Sequence, residues 1–170
     1  MRFLPASLLL VGASCAVLSA CSPAPSATPT VDLAAVETAV KADANQLVAD
    51  LNARDAAKAV AHDGADIVNM QHGAANYVGV DADLATTKLM VSDPNFKLAV
   101  SNESVDLAAS GDLAVYHATY TYTFTSPASK AAASETGNLL LGYKKQSDGK
   151  LKLSWTVLSD APAPAPVAAK

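Results

Sequence analysis

The residues able to do chemistry are few and scattered. His117 stands in the run Leu113 to Thr125 (LAVYHATYTYTFT). Two-residue alternation there puts Val115, His117, Thr119, Thr121 and Thr123 on one strand face, and Tyr116, Tyr120, Tyr122 and Phe124 on the other. If the His/Thr face lines an enclosed space, His117 is an acid or base with hydroxyl neighbours, titrating near neutral pH. The alternative makes the aromatic face core and the threonines ordinary β-formers of an outer surface. The second reading is favoured, because threonines on an exposed strand face need no further explanation.

His62, Asp63, Asp66 and His72 have the residue types of a zinc site. No pair has the i, i+4 spacing of a preformed helical site, and Gly64 interrupts the set. An exposed helix end and turn explains them equally, so no metal site and no cofactor is expected. Trp155 shares a predicted strand face with Leu151, Leu153 and Val157, which makes it a core anchor or, in the sharper reading, a pocket wall. Tyr77 and Asn138 are further polar pocket candidates. The chain has no phosphate loop, no G-x-S-x-G, no Ser-His-Asp spacing and no basic-aromatic patch.

The elements that must position these residues run helices first, then strands. From Val31 to Asn52 the apolar positions Leu33, Val36, Val40, Leu47 and Leu51 recur mostly at spacings of three and four, predicting an amphipathic helix capped by Thr30. A short helix is predicted over Asp55 to His62, a strand over Asp66 to Gln71 with a return near Tyr77-Val78, and a third helix over Asp81 to Val91, stopped by Asp93-Pro94. Strands follow from Phe96 to Leu107, with a kink or break before Val105. Next come the strand Leu113 to Thr125, a loop over Ser126 to Ser134, and strands Asn138 to Lys145 and Leu151 to Leu158. Ser110-Gly111-Asp112 and Ser147-Asp148-Gly149 are the hairpin turns. Helices followed by an antiparallel meander predict an α+β fold, a curved sheet covered on one face.

The first thirty residues carry an address. Met1-Arg2, an apolar run from Phe3 to Ala20 and then Cys21 form a secretory leader. The segment before the cysteine, Leu18-Ser19-Ala20, fits the lipoprotein signal peptidase recognition pattern, whereas Leu18 is a poor fit to the ordinary enzyme's A-x-A preference. The expectation is therefore a leader over 1–20 and a Cys21 bearing acyl chains. These hold the protein on a membrane, each buried CH₂ contributing about 0.8 kcal/mol. Cys15 leaves with the leader and Cys21 is acylated, so thiol catalysis, disulfides and Cys-based metal binding are excluded. Residues 21–30 are a Pro/Ser/Ala/Thr tether, 31–160 one domain, and 161–170 an extended Ala/Pro tail. Ser22 after the cysteine, in place of Asp, points to the outer membrane, facing the periplasm. The net charge of −4 argues against nucleic acid as a partner. Hydrophobic residues make up 51% of the chain but aromatics only 5%, so the core must be built with few large anchors.

The order of these elements, with Leu51-Asn52-Ala53-Arg54-Asp55, Val60, Ala65-Asp66-Ile67-Val68, Gly73, Gly79, Gly111-Asp112-Leu113-Ala114-Val115, Asp148-Gly149 and Trp155, resembles the nuclear-transport-factor-2-like superfamily. The branch is that of SnoaL-like proteins and the domain of unknown function 4440, whose entry motif reads L-N-A-G-D. The resemblance covers roughly Val31 to Asp160. It implies a cone of bent sheet round a long helix, an apolar pocket open at one end, and often a homodimer. It implies no reaction, because this fold hosts enzymes, binding modules and assembly modules. Its ketosteroid isomerases use a carboxylate base with a tyrosine and a protonated aspartate. Matching the LNARD segment places that tyrosine on Leu47, and the base near Val68 to Met70, where Asn69 is the polar residue. Two of three roles are thus vacant.

The expectation is a membrane-anchored envelope lipoprotein whose non-catalytic domain binds a small apolar ligand or a protein partner. One alternative is a SnoaL-like enzyme using His117 with Tyr120 or Asn138; another is a structural dimerisation module. An enzyme needs His117 inside an enclosed pocket beside a polar group, a binder needs the pocket without it, and a structural module needs the cone filled by its own side chains.

Overall fold

A computed structural model describes residues 31–161. The predicted leader, lipidated cysteine, tether and most of the tail lie outside the described residues. Within them the chain forms α1 (Leu33–Asn52), α2 (Ala56–Ala59) running into a 3-10 turn (Val60–His62), β1 (Asp63–Gln71), β2 (Tyr77–Val78) and α3 (Val80–Ser92). Four long strands follow: β3 (Lys97–Leu107), β4 (Leu113–Thr125), β5 (Ala132–Lys145) and β6 (Leu151–Asp160). One six-stranded sheet has the order β2-β1-β6-β5-β4-β3. The α+β class and the covering of one sheet face by helices agree with the sequence. The sheet is mixed, however, because β1 runs parallel to β6 while every other pairing is antiparallel. β1 precedes α3 and the whole meander, so it returns to the last strand across that long connection and no hairpin constrains its direction.

The segment Leu51 to Asp55 ties three elements together. Leu51 is buried in the core. The Asn52 amide donates to the Leu98 carbonyl at 2.8 Å and accepts from the Leu98 N–H at 2.9 Å, fixing the start of β3 against α1. Arg54 adopts φ +60°, the left-handed geometry that closes a helix and that glycine takes at least strain. This is the place of the glycine in the L-N-A-G-D motif. Arg54 accepts that backbone strain, and its guanidinium donates to the carbonyls of Val91, Asp93 (2.6 Å) and Pro94 (3.1 Å), closing the end of α3. Asp55 caps α2 by accepting from the Lys58 N–H at 3.1 Å.

Other boundaries move by identifiable causes. The α1 cap is Asp32, whose carboxylate accepts from the Ala35 N–H at 3.0 Å, rather than Thr30. β3 is continuous through its kink, with Asn102 at φ +54° absorbing the irregularity between Ser101 and Ser104. β5 begins at Ala132, six residues before the expected Asn138, because β4 pairs with it as far as Thr125↔Ala132.

The principal core brings Val40 and Ala44 of α1 against Ile67, Tyr116, Tyr120, Leu139, Leu141, Tyr143 and Leu153 of the sheet. A second cluster of Leu51, Ala56, Ala59, Val91 and Phe96 seals the helical end. The largest fully buried side chains include three tyrosines, which supply the bulk that a low aromatic content leaves scarce.

Candidate functional site

The sheet does not close on its own side chains. Between its concave face and α1 and α3 lies a cavity of about 560 Å³. Its apolar wall comes from Leu47 and Leu51 of α1, Leu139 and Leu141 of β5, and Leu153 and Leu158 of β6. Phe96, Tyr122 and Phe124 line it as an aromatic group: Tyr122 stacks on Phe124 at 5.1 Å between centroids and meets Phe96, tilted, at 5.7 Å. The size and lining suit a small, largely apolar molecule.

Polar groups interrupt this wall in two clusters. The first is built from β1, β2 and α3. Asn69 is 4% exposed, faces Tyr77 across the β1–β2 pair, and leaves its Nδ2 without a hydrogen-bond partner. Gln71 donates to the Tyr77 hydroxyl at 3.0 Å. Asp83 accepts from Thr87 Oγ1 at 3.1 Å and lies beside both Tyr77 and Asp63. One oxygen of Asp63 is buried and unpartnered. Burial first, and then the adjacent Asp83 carboxyl, push the Asp63 carboxyl up to about 8, so at neutral pH it holds its proton. Burial, with Asp83 and Asp63 beside it, likewise raises Tyr77.

The second cluster joins the turn after β1 to β4 and β5. The Tyr120 hydroxyl donates to Glu135 Oε1 at 2.9 Å, and His72 Nε2 lies 3.2 Å from the same oxygen. Tyr120 reaches across β5 because its cross-strand neighbour is Gly137: a Cβ there would stand 2.7 Å from the tyrosine ring and 2.1 Å from the Ser159 carbonyl oxygen. Burial, reinforced by Glu135, raises the Tyr120 phenol. Elsewhere on the wall, Asp93 accepts from the backbone N–H of Thr125 at 2.6 Å and from its hydroxyl at 2.5 Å, and these bonds lower its carboxyl.

The residues expected from the sequence divide between this cavity and other places. Asn69, Tyr120 and Tyr77 are on the wall. Tyr116 points inward but is fully buried in the core, its hydroxyl unpartnered, and does not reach the cavity. His117, a candidate for the pocket, does not enter it, in keeping with the favoured reading of this strand. The tyrosine face of β4 turns inward, so His117 is on the outer face, its side chain 41% exposed, bonded through Nε2 to Asp106 at 2.9 Å and through Nδ1 to Ser104 at 3.3 Å. Asn138 is also outside, its amide 3.5 Å from the Ser159 hydroxyl.

Trp155 is corrected by a β-bulge. Leu153 pairs with Tyr143 and Trp155 with Gly142, so Ser154 is an extra residue and the alternation of β6 inverts there. Leu153 faces the cavity, while the indole lies outside over Gly142, where a Cβ would come within 1.8 Å of it, and under the Lys144 ammonium at 5.2 Å.

The four residues weighed as metal ligands are not gathered. His62 is held by Asp43 at 2.8 Å and Asp50 at 3.3 Å, and His72 is engaged with Glu135. Among the described residues no group of three His, Cys, Asp or Glu side chains is placed to hold a metal ion.

Sequence reasoning missed Asp83, Glu135 and the role of Asp63. One signal was present: Asp83, Thr86, Thr87 and Met90 follow the i, i+3, i+4, i+7 spacing of a buried helical face, and all four line the cavity. A carboxylate and two threonines on an inward stripe mark a helix facing something other than an apolar core.

No family model matches the chain, and no curated protein matches it. Solved structures do. A nuclear transport factor 2-like superfamily protein from Salmonella enterica serovar Typhimurium superposes with a TM-score of 0.65 at 12% identity, covering 80% of this chain and 97% of that one. An NTF2-like protein of unknown function from Pseudomonas putida KT2440 gives 0.63 at 19% identity, covering 79% and 91%. A ketosteroid isomerase-like protein from Erwinia carotovora atroseptica gives 0.61 at 17% identity, covering 74% and 96%. At these identities the shared property is the fold.

Proposed function

Starting from a nuclear-transport-factor-2-like fold with an unfilled cone, we propose that this chain is a membrane-anchored envelope lipoprotein whose domain binds a small, largely apolar molecule. The observation that carries the binding reading is the cavity of about 560 Å³, walled by leucines and aromatics and containing an amide with unused hydrogen-bonding capacity. A purely structural module would fill this space with its own side chains. An enzyme working through His117 would need that ring inside, and it is outside.

A thermal-shift screen of the chain from Ser22 to Lys170 against lipids and hydrophobic small molecules tests the reading. A ligand present at a hundred times its Kd stabilises by about 2.7 kcal/mol, or several degrees for a domain of this size. The shift is expected to persist in His117→Ala and to be lost in Thr156→Trp, which sets an indole into the cavity from β6. A hit insensitive to Thr156→Trp would place binding elsewhere.

The anchoring half rests on Leu18-Ser19-Ala20-Cys21. In a bacterial host fed labelled fatty acid, the full chain is expected to take up the label and sediment with membranes, most strongly with the outer membrane. Cys21→Ala is expected to abolish labelling. An unlabelled wild-type chain would refute the lipoprotein assignment and leave the cavity reading untouched.

A further inference from the structure

The charge of the cavity wall specifies its ligand further, given that the cavity is a binding site. Four carboxyl side chains, Asp63, Asp83, Asp93 and Glu135, reach the wall, and no Lys or Arg does among the described residues. Asp93 and Glu135 are satisfied by Thr125 and Tyr120. Asp63 and Asp83 are different: both carboxyls line the cavity beside each other, and an oxygen of Asp63 is buried without a partner. An anionic ligand would meet like charge here and find no Lys or Arg on the wall among the described residues, while His72, also on the wall, is engaged with Glu135. On the same wall the Asn69 Nδ2, on a side chain 4% exposed, is a donor with nothing to donate to. Aromatic rings complete a surface that favours an organic cation.

We propose that the cavity takes an apolar amine carrying a hydroxyl or carbonyl oxygen, its ammonium held between Asp63 and Asp83, that oxygen accepting from Asn69, and its apolar body against Phe96, Tyr122 and Phe124.

Binding then displaces a proton. The titratable groups around Asp63 are Asp83 on α3, Asp43 on α1, Tyr77 on β2, Tyr143 on β5 and Lys152 on β6. Lys152 is turned to the Ala61 carbonyl at 2.5 Å and does not reach the cavity. In the empty site Asp63 therefore keeps its proton to about pH 8, and an arriving ammonium replaces it as the neutralising charge.

Three matched probes separate the possibilities: 2-amino-1-(2-naphthyl)ethanol, the neutral 1-(2-naphthyl)ethane-1,2-diol, and the anionic 2-hydroxy-2-(2-naphthyl)acetate. Titration calorimetry of the chain from Ser22 to Lys170 near pH 7 is expected to give the amine at least about tenfold tighter binding than the diol, and the carboxylate the weakest. Repeating the amine titration in buffers of different ionisation enthalpy is expected to show proton release near pH 7, fading above about pH 9. Asp63→Asn with Asp83→Asn is expected to bring the amine to the level of the diol, with diol binding retained as the sign of an intact fold. If that double variant fails to fold, proton release by the wild-type chain still decides. A diol bound as tightly as the amine, an amine bound without proton release, or an amine preference surviving the double substitution would each overturn the inference while leaving the pocket reading standing. Failure of all three probes to bind would count against both.

Discussion

Asp63→Asn is expected to make the protein more stable at pH 8 and less sensitive to pH between about 5 and 8, where the wild-type chain loses stability. The cause is the mismatch between the folded Asp63 carboxyl, raised to about 8, and an unfolded aspartate, which releases its proton near 3.8. Between those values the folded state binds more protons than the unfolded one, so stability is fully present below the lower value and falls as pH rises through the window. His62 acts in the same direction. Its hydrogen bond to Asp43 raises it above its ordinary 6.5 against the opposing effect of burial, so its contribution is also lost as pH rises through the raised value. One pKa unit corresponds to 1.36 kcal/mol, and coupling to Asp83 spreads the effect over the pair, so a gain on the order of 1–3 kcal/mol is expected for Asp63→Asn at pH 8. Urea denaturation at pH 5 and pH 8 measures it. A variant less stable than wild type at pH 8 would show that Asp63 works as a structural anion and not as a strained acid.

Gly137→Ala should produce a loss of similar size by a different route. The added Cβ meets the Ser159 carbonyl oxygen at 2.1 Å and the Tyr120 ring at 2.7 Å. The first is backbone of β6, so the strand itself must shift, and the second is a side chain 1% exposed with nowhere to retreat. Overpacking of this kind costs about 1–3 kcal/mol, and the displaced Tyr120 also loses its bond to Glu135 at one cluster of the cavity. Chemical denaturation is expected to show the loss, and a screen hit is expected to bind Gly137→Ala more weakly even under conditions where it remains folded. Wild-type stability in this variant would mean that β5 and β6 are further apart than the structure has them.

The fold was legible wherever local pattern and tertiary role coincide. The spacing of Val40, Leu47 and Leu51 reflects the one face by which α1 is buried, and the alternation through Leu113 to Thr125 reflects β4, paired on both sides along its length. It failed where one inserted residue changes the meaning of all that follows. Alternation through β6 groups Trp155 with Leu153, and only the pairing of consecutive residues Gly142 and Tyr143 with Trp155 and Leu153 reveals Ser154 as a bulge. The direction of β1 is likewise set by a partner more than eighty residues away.

The site was less legible than the fold for the same reason. Asn69 and Tyr120 could be singled out by type and position, but Asp63 acquires its character from burial and then from Asp83, twenty residues later on a helix. Glu135 acquires its own from Tyr120 on β4 and His72 in the turn after β1. His117 drew notice as the histidine of the longest tyrosine- and threonine-rich run. Its neighbours alternate correctly, but the sequence does not say which face is concave.

Every binding prediction depends on the cone enclosing a ligand site. Methyl NMR of the chain from Ser22 to Lys170, titrated with the neutral 1-(2-naphthyl)ethane-1,2-diol, tests it most directly because it requires no charge preference. Saturable shifts and ligand contacts at Leu139, Leu141, Leu153 and Leu158 are expected, with Val115 and Val157 of the outer face unmoved. Shifts confined to that outer face, or none at millimolar probe, would contradict it.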